Sequence, residues 1–158
     1  MGAVVCLSGA EAGIEVIHFA TNLLRLRYSP EDQYHGELHV GVQGGGFSGH
    51  GSAWFDTETI ECFCNQLSAY PLVDDQLPVL EAGYWNDGVL SQVHLSLRVT
   101  KRDNRGGLTM NVALNDGDGR SVLTRLDIGY EDLSQFQLAI RSMMMGTDAE
   151  VTLTAQPT

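Results

Sequence analysis

The sequence predicts an α+β fold: an antiparallel β-sheet of about six to eight strands with two amphipathic helices packed on it. Three observations carry this. Runs such as Val93, Leu95, Leu97 and Val99 alternate with polar residues, the period-2 pattern of a half-buried strand. Two other stretches repeat apolar residues at helical spacing: Ile60, Phe63, Cys64, Leu67, and later Leu133, Phe136, Ile140, Met144. Short Gly-, Asn- and Asp-rich turns join the strands, which makes neighbours antiparallel. Each strand's apolar face needs a cover, and the helices supply it.

In chain order, Ile14 to Phe19 and Leu23 to Tyr28 read as strands with Thr21-Asn22 as the turn between them. Ser29 to Gln33 is a polar loop. Leu38, Val40 and Val42 alternate with Glu37, His39 and Gly41 as a strand with one wet face. Gly44-Gly45-Gly46 then forms a hairpin turn or a bulge, and the chain resumes through Phe47 to Phe55. Asp56 is placed to cap the first helix, because its carboxylate accepts free N–H groups of the first turn. Glu58 suits the positive end of the helix dipole, and Pro71 closes the segment.

Val73 to Gln76 is an acidic loop, and Val79 to Tyr84 reads as a short strand. Trp85-Asn86-Asp87-Gly88 is a turn, since Asp-Gly tolerates positive φ. Three period-2 strands follow, centred on Leu95, Val112 and Leu126, with turns at Asp103–Gly107 and Asn115–Gly119. Asp132 and Gln135 have the spacing of a capping box for the second helix, and Gly146 ends it. Val151 to Thr154 is a short last strand or a frayed tail. No internal repeat, low-complexity segment or linker divides the chain, so residues 1–158 read as a single domain.

Composition narrows the function classes. The 158 residues are 43% hydrophobic and 18% charged, an ordinary globular balance. Twenty acidic residues against nine basic ones give a formal net charge of -11. Such a surface repels phosphate, so neither nucleic acid nor an anionic membrane is expected as a partner. It keeps a protein soluble and draws in basic proteins quickly. No stretch approaches the ~20 apolar residues of a membrane span, and Met1 to Cys6 lacks a signal-peptide pattern, so a cytoplasmic protein is expected. Cys6, Cys62 and Cys64 suggest no disulfide framework. Cys62 and Cys64, two apart on a helix, do not face each other and read as small buried or half-buried thiols.

Catalytic motifs fail one by one. His35, Glu37 and His39 share a strand face, but four strand steps span about 13 Å, too far for ligands of one metal. Gly44 to Ser52 is glycine-rich yet lacks the Gly-Lys-Ser/Thr ending of a phosphate loop, and no serine sits between glycines as in a nucleophile elbow. Asp116-Gly117-Asp118-Gly119 begins like a calcium loop, but Arg120 stands at a ligand position. No metal, no cofactor and no catalytic residue is therefore expected.

The segment Leu72 to Gly88 holds the candidate partner-binding residues Asp74, Asp75, Glu81, Tyr84, Trp85 and Asp87. Aromatic residues framed by acids suit a protein interface. The bland alternative has equal standing: Trp85 buried in the core beside a solvated acidic loop.

Gly46-Phe47-Ser48-Gly49, Ala53-Trp54-Phe55-Asp56, Phe63-Cys64-Asn65-Gln66-Leu67 and Tyr130-Glu131-Asp132-Leu133 together have a recognisable order. Over roughly Gly13 to Met145 the chain resembles the bacterial immunity-protein family linked to WapI-type contact-dependent toxins. Asp132 and Leu133 are adjacent, a departure from that family's spacing. The resemblance implies a non-catalytic neutraliser of a cognate toxin domain, a basic nuclease for example, and carries no catalytic residue over. Two rival readings stand beside it. One is a small-molecule-binding module or enzyme with a cavity between sheet and helices. The other is a homo-oligomer joined through an exposed sheet edge.

Overall fold

Alternating apolar residues form strands here because period 2 places them on one face, and turn residues decide where each strand stops. The computed structural model describes residues 4–6, 15–17 and 22–155. Ten strands and two helices follow in the order β1 (Val4–Cys6), β2 (Glu15–Ile17), β3 (Leu23–Pro30), β4 (His35–Gly44), β5 (Phe47–Asp56), α1 (Thr57–Leu67), β6 (Val79–Asn86), β7 (Val89–Lys101), β8 (Gly107–Asn115), β9 (Ser121–Gly129), α2 (Tyr130–Met144) and β10 (Val151–Thr154). All pairings are antiparallel, so the chain is a mixed α+β protein dominated by sheet.

The eight long-paired strands divide into two sheets of four, in the orders β10-β3-β4-β5 and β6-β7-β8-β9. Among the described residues β1 and β2 pair with each other and neither pairs with β3, unlike the Ile14–Phe19 strand expected to turn back beside it. Its residues 14, 18 and 19, and Thr21 of the expected turn, lie outside the described residues. Val151–Thr154 is a true strand: Leu153 pairs with Leu24, and Ala155 donates its N–H to the Asn22 carbonyl at 2.8 Å.

The element order repeats, which sequence reading did not find. Each sheet contains a meander whose last strand runs directly into a helix, β3-β4-β5 into α1 and β6-β7-β8-β9 into α2. The helix stripes match in spacing, Ile60, Phe63 and Leu67 against Leu133, Phe136 and Ile140, and all six are buried. The strand after each helix opens a sheet: β6 after α1, β10 after α2. Only Phe63 and Phe136 are identical among these helix positions, so the repetition is one of pattern.

One hydrophobic cluster takes residues from both sheets and both helices, among them Leu24, Val40, Phe63, Leu97, Met110 and Phe136. α1 packs on α2, β5 and β6, and α2 on β3, β9 and β10. Arg141 of α2 donates to the Asn65 side chain of α1 at 2.7 Å. β5 lies against all four strands of the second sheet. Gly49 permits this: a Cβ there would stand 2.5 Å from Val122 Cγ2.

The caps follow local chemistry. Asp56 Oδ1 accepts the Thr59 N–H at 2.7 Å, as its position predicts. At the second helix the expected N-cap moves. Gly129 occupies it, and Asp132 reaches back from the first turn to accept the Gly129 N–H at 2.9 Å. Tyr130 and Glu131 continue the helix because Gly129, extended at φ -120°, already turns the chain out of β9. Cys64 is buried and Cys62 exposed, so only one of that pair is a core thiol.

Candidate functional site

The second sheet carries a projecting arm. β7 is 13 residues long and β8 only 9, and their pairing begins at Leu95. The preceding stretch of β7, with Gly83–Asn86 of β6, therefore extends beyond β8 as a two-stranded ribbon. Its tip is a two-residue turn with Asp87 at φ 53° and Gly88 at φ 76°, the geometry Asp-Gly favours. Ser91 and His94 are extra residues in β7, each opposite no partner, because Tyr84 pairs with Gln92 and Trp85 with Leu90, and Ala82 with Leu95 and Gly83 with Val93. Such bulges twist a ribbon and re-aim its side chains. Gly83 is needed at the second of them, since a Cβ would lie 1.9 Å from the Gln92 carbonyl oxygen.

Tyr84 and Trp85 are each 58% exposed, and Val89 at the tip 64%. Trp85 is thus not a core residue, which removes the bland alternative for this side chain. Trp85 and Leu90 are direct cross-strand partners, and Val93 pairs with Gly83, two residues before Trp85 on the same face of β6. The same outward face of the sheet continues through Ala113 to Leu123, 80% exposed. Apolar side chains aligned on a projecting element, beside an acidic tip, have the composition of an interface core with a polar rim.

The structure brings together only part of the sequence-predicted set. Tyr84, Trp85 and Asp87 share the arm. Glu81 lies on the sheet proper, where its carboxylate accepts from Ser96 Oγ at 3.0 Å and pairs with Arg98 at 3.3 Å. Asp74 pairs with Lys101 at 3.3 Å, and Asp75 is its exposed neighbour. Lys101 is at the far end of β7 from Val89, so roughly 35–40 Å of strand separates these two aspartates from the tip. Val89, Leu90 and Leu123 were not singled out from sequence, and Val93, read there as sharing the apolar face of Leu95, is separated from it by the extra residue His94. The excess length of β7 over β8 was the available signal.

The other candidates resolve as local structure. Glu37 accepts from Ser52 Oγ at 2.6 Å and contacts His39 Nε2 at 3.4 Å, while His35 turns to Asp32 at 3.4 Å. Among the described residues no three His, Cys, Asp or Glu side chains gather as metal ligands. Asp116 organises the β8–β9 turn by accepting the Asp118 N–H at 2.7 Å and the Arg120 N–H at 3.1 Å, and it pairs with the Arg120 guanidinium. Those backbone donors hold its carboxyl below the usual range. A depression of about 320 Å³ between the helices includes Glu61, Cys64 and Arg141. Burial pushes the Cys64 thiol up to about 11, so it is not a thiolate at neutral pH. No helix among the described residues is long and apolar enough to cross a membrane.

Comparison with protein-family models, with curated proteins and with solved structures returns no match. The reading of the arm therefore rests on its own chemistry.

Proposed function

We propose that this is a non-catalytic acidic binding protein that captures a basic protein partner through the β6–β7 arm. The supporting observation is the exposure of Tyr84, Trp85 and Val89 on a ribbon that projects from a chain of net charge -11. The charge draws a basic partner in and raises the association rate. The aromatic arm then limits dissociation, because a few buried aromatic anchors carry most binding energy. Such a division of labour suits an immunity protein that neutralises a cognate bacterial toxin domain, the activity implied by the resemblance to the WapI-linked family. Asp74 and Asp75, remote from the tip, act through the long-range field and not as contacts.

The test is surface binding kinetics against a basic toxin domain encoded beside this protein, at two salt concentrations. The association rate is expected to fall as salt shortens the Debye length from about 10 Å at 0.1 M, with Asp74→Asn/Asp75→Asn lowering that rate alone. A chain that ignores every basic neighbour protein and instead retains or turns over a small molecule contradicts the proposal.

A further inference from the structure

Sheet edges are normally defended against stray pairing by short length, bulges, prolines or charges. β10 has four residues, β6 is interrupted by two register shifts, and β9 carries Arg125 and Asp127. β5 has none of these devices. It runs ten residues, Phe47 to Asp56, in unbroken register with β4. It contains no Lys, Arg or Pro, and its single carboxylate, Asp56, is its last residue. Its centre is Ser48-Gly49-His50-Gly51-Ser52, where His50 is the one large side chain beside the backbone.

The hairpin turn fixes which backbone groups are free. Gly45 and Gly46 have φ 59° and 86°, the signature of a two-residue hairpin whose flanking pair, here Gly44 and Phe47, is hydrogen-bonded. Bonded and unbonded pairs alternate along antiparallel strands. Phe47, Gly49 and Gly51 therefore bond β4, and Ser48, His50 and Ser52 turn their N–H and C=O groups to the outer edge. Among the described residues no strand pairs with that edge. It faces an open cleft of about 460 Å³, whose other wall is His94, Leu114, Asp116, Arg120 and Val122.

We infer that β5 is a strand-addition site: an extended segment of a partner protein lies along it in this cleft, bonded to the backbone of Ser48, His50 and Ser52. Small apolar side chains at alternate positions of the segment face Leu114 and Val122, and basic flanks suit the net charge of -11. One strand suits the cleft better than a second copy of this chain. A second β5 comes backed by its own β4 and second sheet, and the β8–β9 turn stands where that bulk would go. The inference is independent of the arm.

The test uses ¹⁵N-labelled protein and a synthetic peptide of alternating threonine and valine with a lysine at each end. Saturating peptide should slow amide exchange at Ser48, His50 and Ser52, with little change at Gly49 and Gly51. His50→Ala should bind within about twofold of the parent, since the contact is through backbone. His50→Pro removes an N–H that β4 does not use, a substitution edge strands tolerate, and should weaken binding about tenfold or more while the melt stays cooperative. Absence of peptide binding, or His50→Pro binding like the parent, overturns the inference. So does protection of those three amides in the peptide-free protein, at any concentration, because a second copy or another part of the chain then occupies the edge.

Discussion

Replacing Gly49 by alanine tests the stacking of the two sheets. The new methyl carbon would stand 2.5 Å from Val122 Cγ2 and 3.1 Å from its Cβ, well inside van der Waals contact. Val122 is half-buried on edge strand β9, so relief requires a rotamer change or a sheet shift. Overpacking of this kind costs ~1–3 kcal/mol. At ~2–4 °C per kcal/mol for a chain of this size, the melting temperature should fall by roughly 5 °C. The partner variant Val122→Ala removes the obstructing methyls and has its own cost of ~1 kcal/mol. In the double variant the 2.5 Å contact is gone and only the 3.1 Å approach to Cβ remains, so the two losses should not add. A coupling of ~1 kcal/mol or more is expected from a double-mutant cycle in urea. Strictly additive losses would mean that β5 and β9 do not touch at this point, and the stacking would be wrong.

The remaining predictions concern the core, the surface and acid stability. Leu67→Ala and Phe136→Ala should each cost ~2–5 kcal/mol in denaturant melts, since both side chains are 2% exposed, and a loss below ~0.5 kcal/mol would remove the helix stripes from the core. Trp54 and Trp85 are both 58% exposed, so acrylamide should quench the fluorescence of both Trp54→Phe and Trp85→Phe readily; a shielded, blue-shifted emission from either would contradict its placement. Asp132→Ala should destabilise α2 by about 1 kcal/mol through loss of the bond to the Gly129 N–H, and an unchanged melt would exclude that cap. Backbone N–H donors at Tyr34 and Gly107 lower the carboxyls of Asp32 and Asp103 respectively, as the Asp118 N–H lowers that of Asp116. Stability from these groups is present above the ordinary carboxylate value near 4 and is lost as pH falls through the lower folded values. Urea melts from pH 5 to pH 2 should show that decline, and a flat profile would refute it.

Where a feature depends on neighbours in the chain, the residues announced it. Asp56 capped α1, Asp87-Gly88 made a two-residue turn, and the two apolar stripes became buried helix faces. The helix count and the eight strands of the two large sheets followed from the same local patterns, whereas β1 was not expected. The division into two sheets was not legible, because nothing local says whether β6 returns to β5 or opens a new sheet after α1. The aspartate-aromatic cluster failed for a related reason. Asp74 and Trp85 are close in sequence, but β6 carries the chain away from one before it reaches the other. Asp132 moved from N-cap to the first turn because Gly129 ends β9 and caps without a side chain. The β5 edge was visible as a strand poor in charges, but which strand has no neighbour is a property of the sheet order alone.

The central claim is that the aromatic arm holds the partner while the acidic surface only steers it. The most direct measurement is the dissociation rate of Trp85→Ala from the basic partner, beside the parent and Asp74→Asn/Asp75→Asn. Anchors of this kind are worth ~2 kcal/mol or more, so dissociation should speed up by about thirtyfold at unchanged stability, with the aspartate variant dissociating like the parent. A Trp85→Ala protein that dissociates like the parent, while the aspartate variant is released rapidly, would place the contact at the far end of β7 and contradict the account.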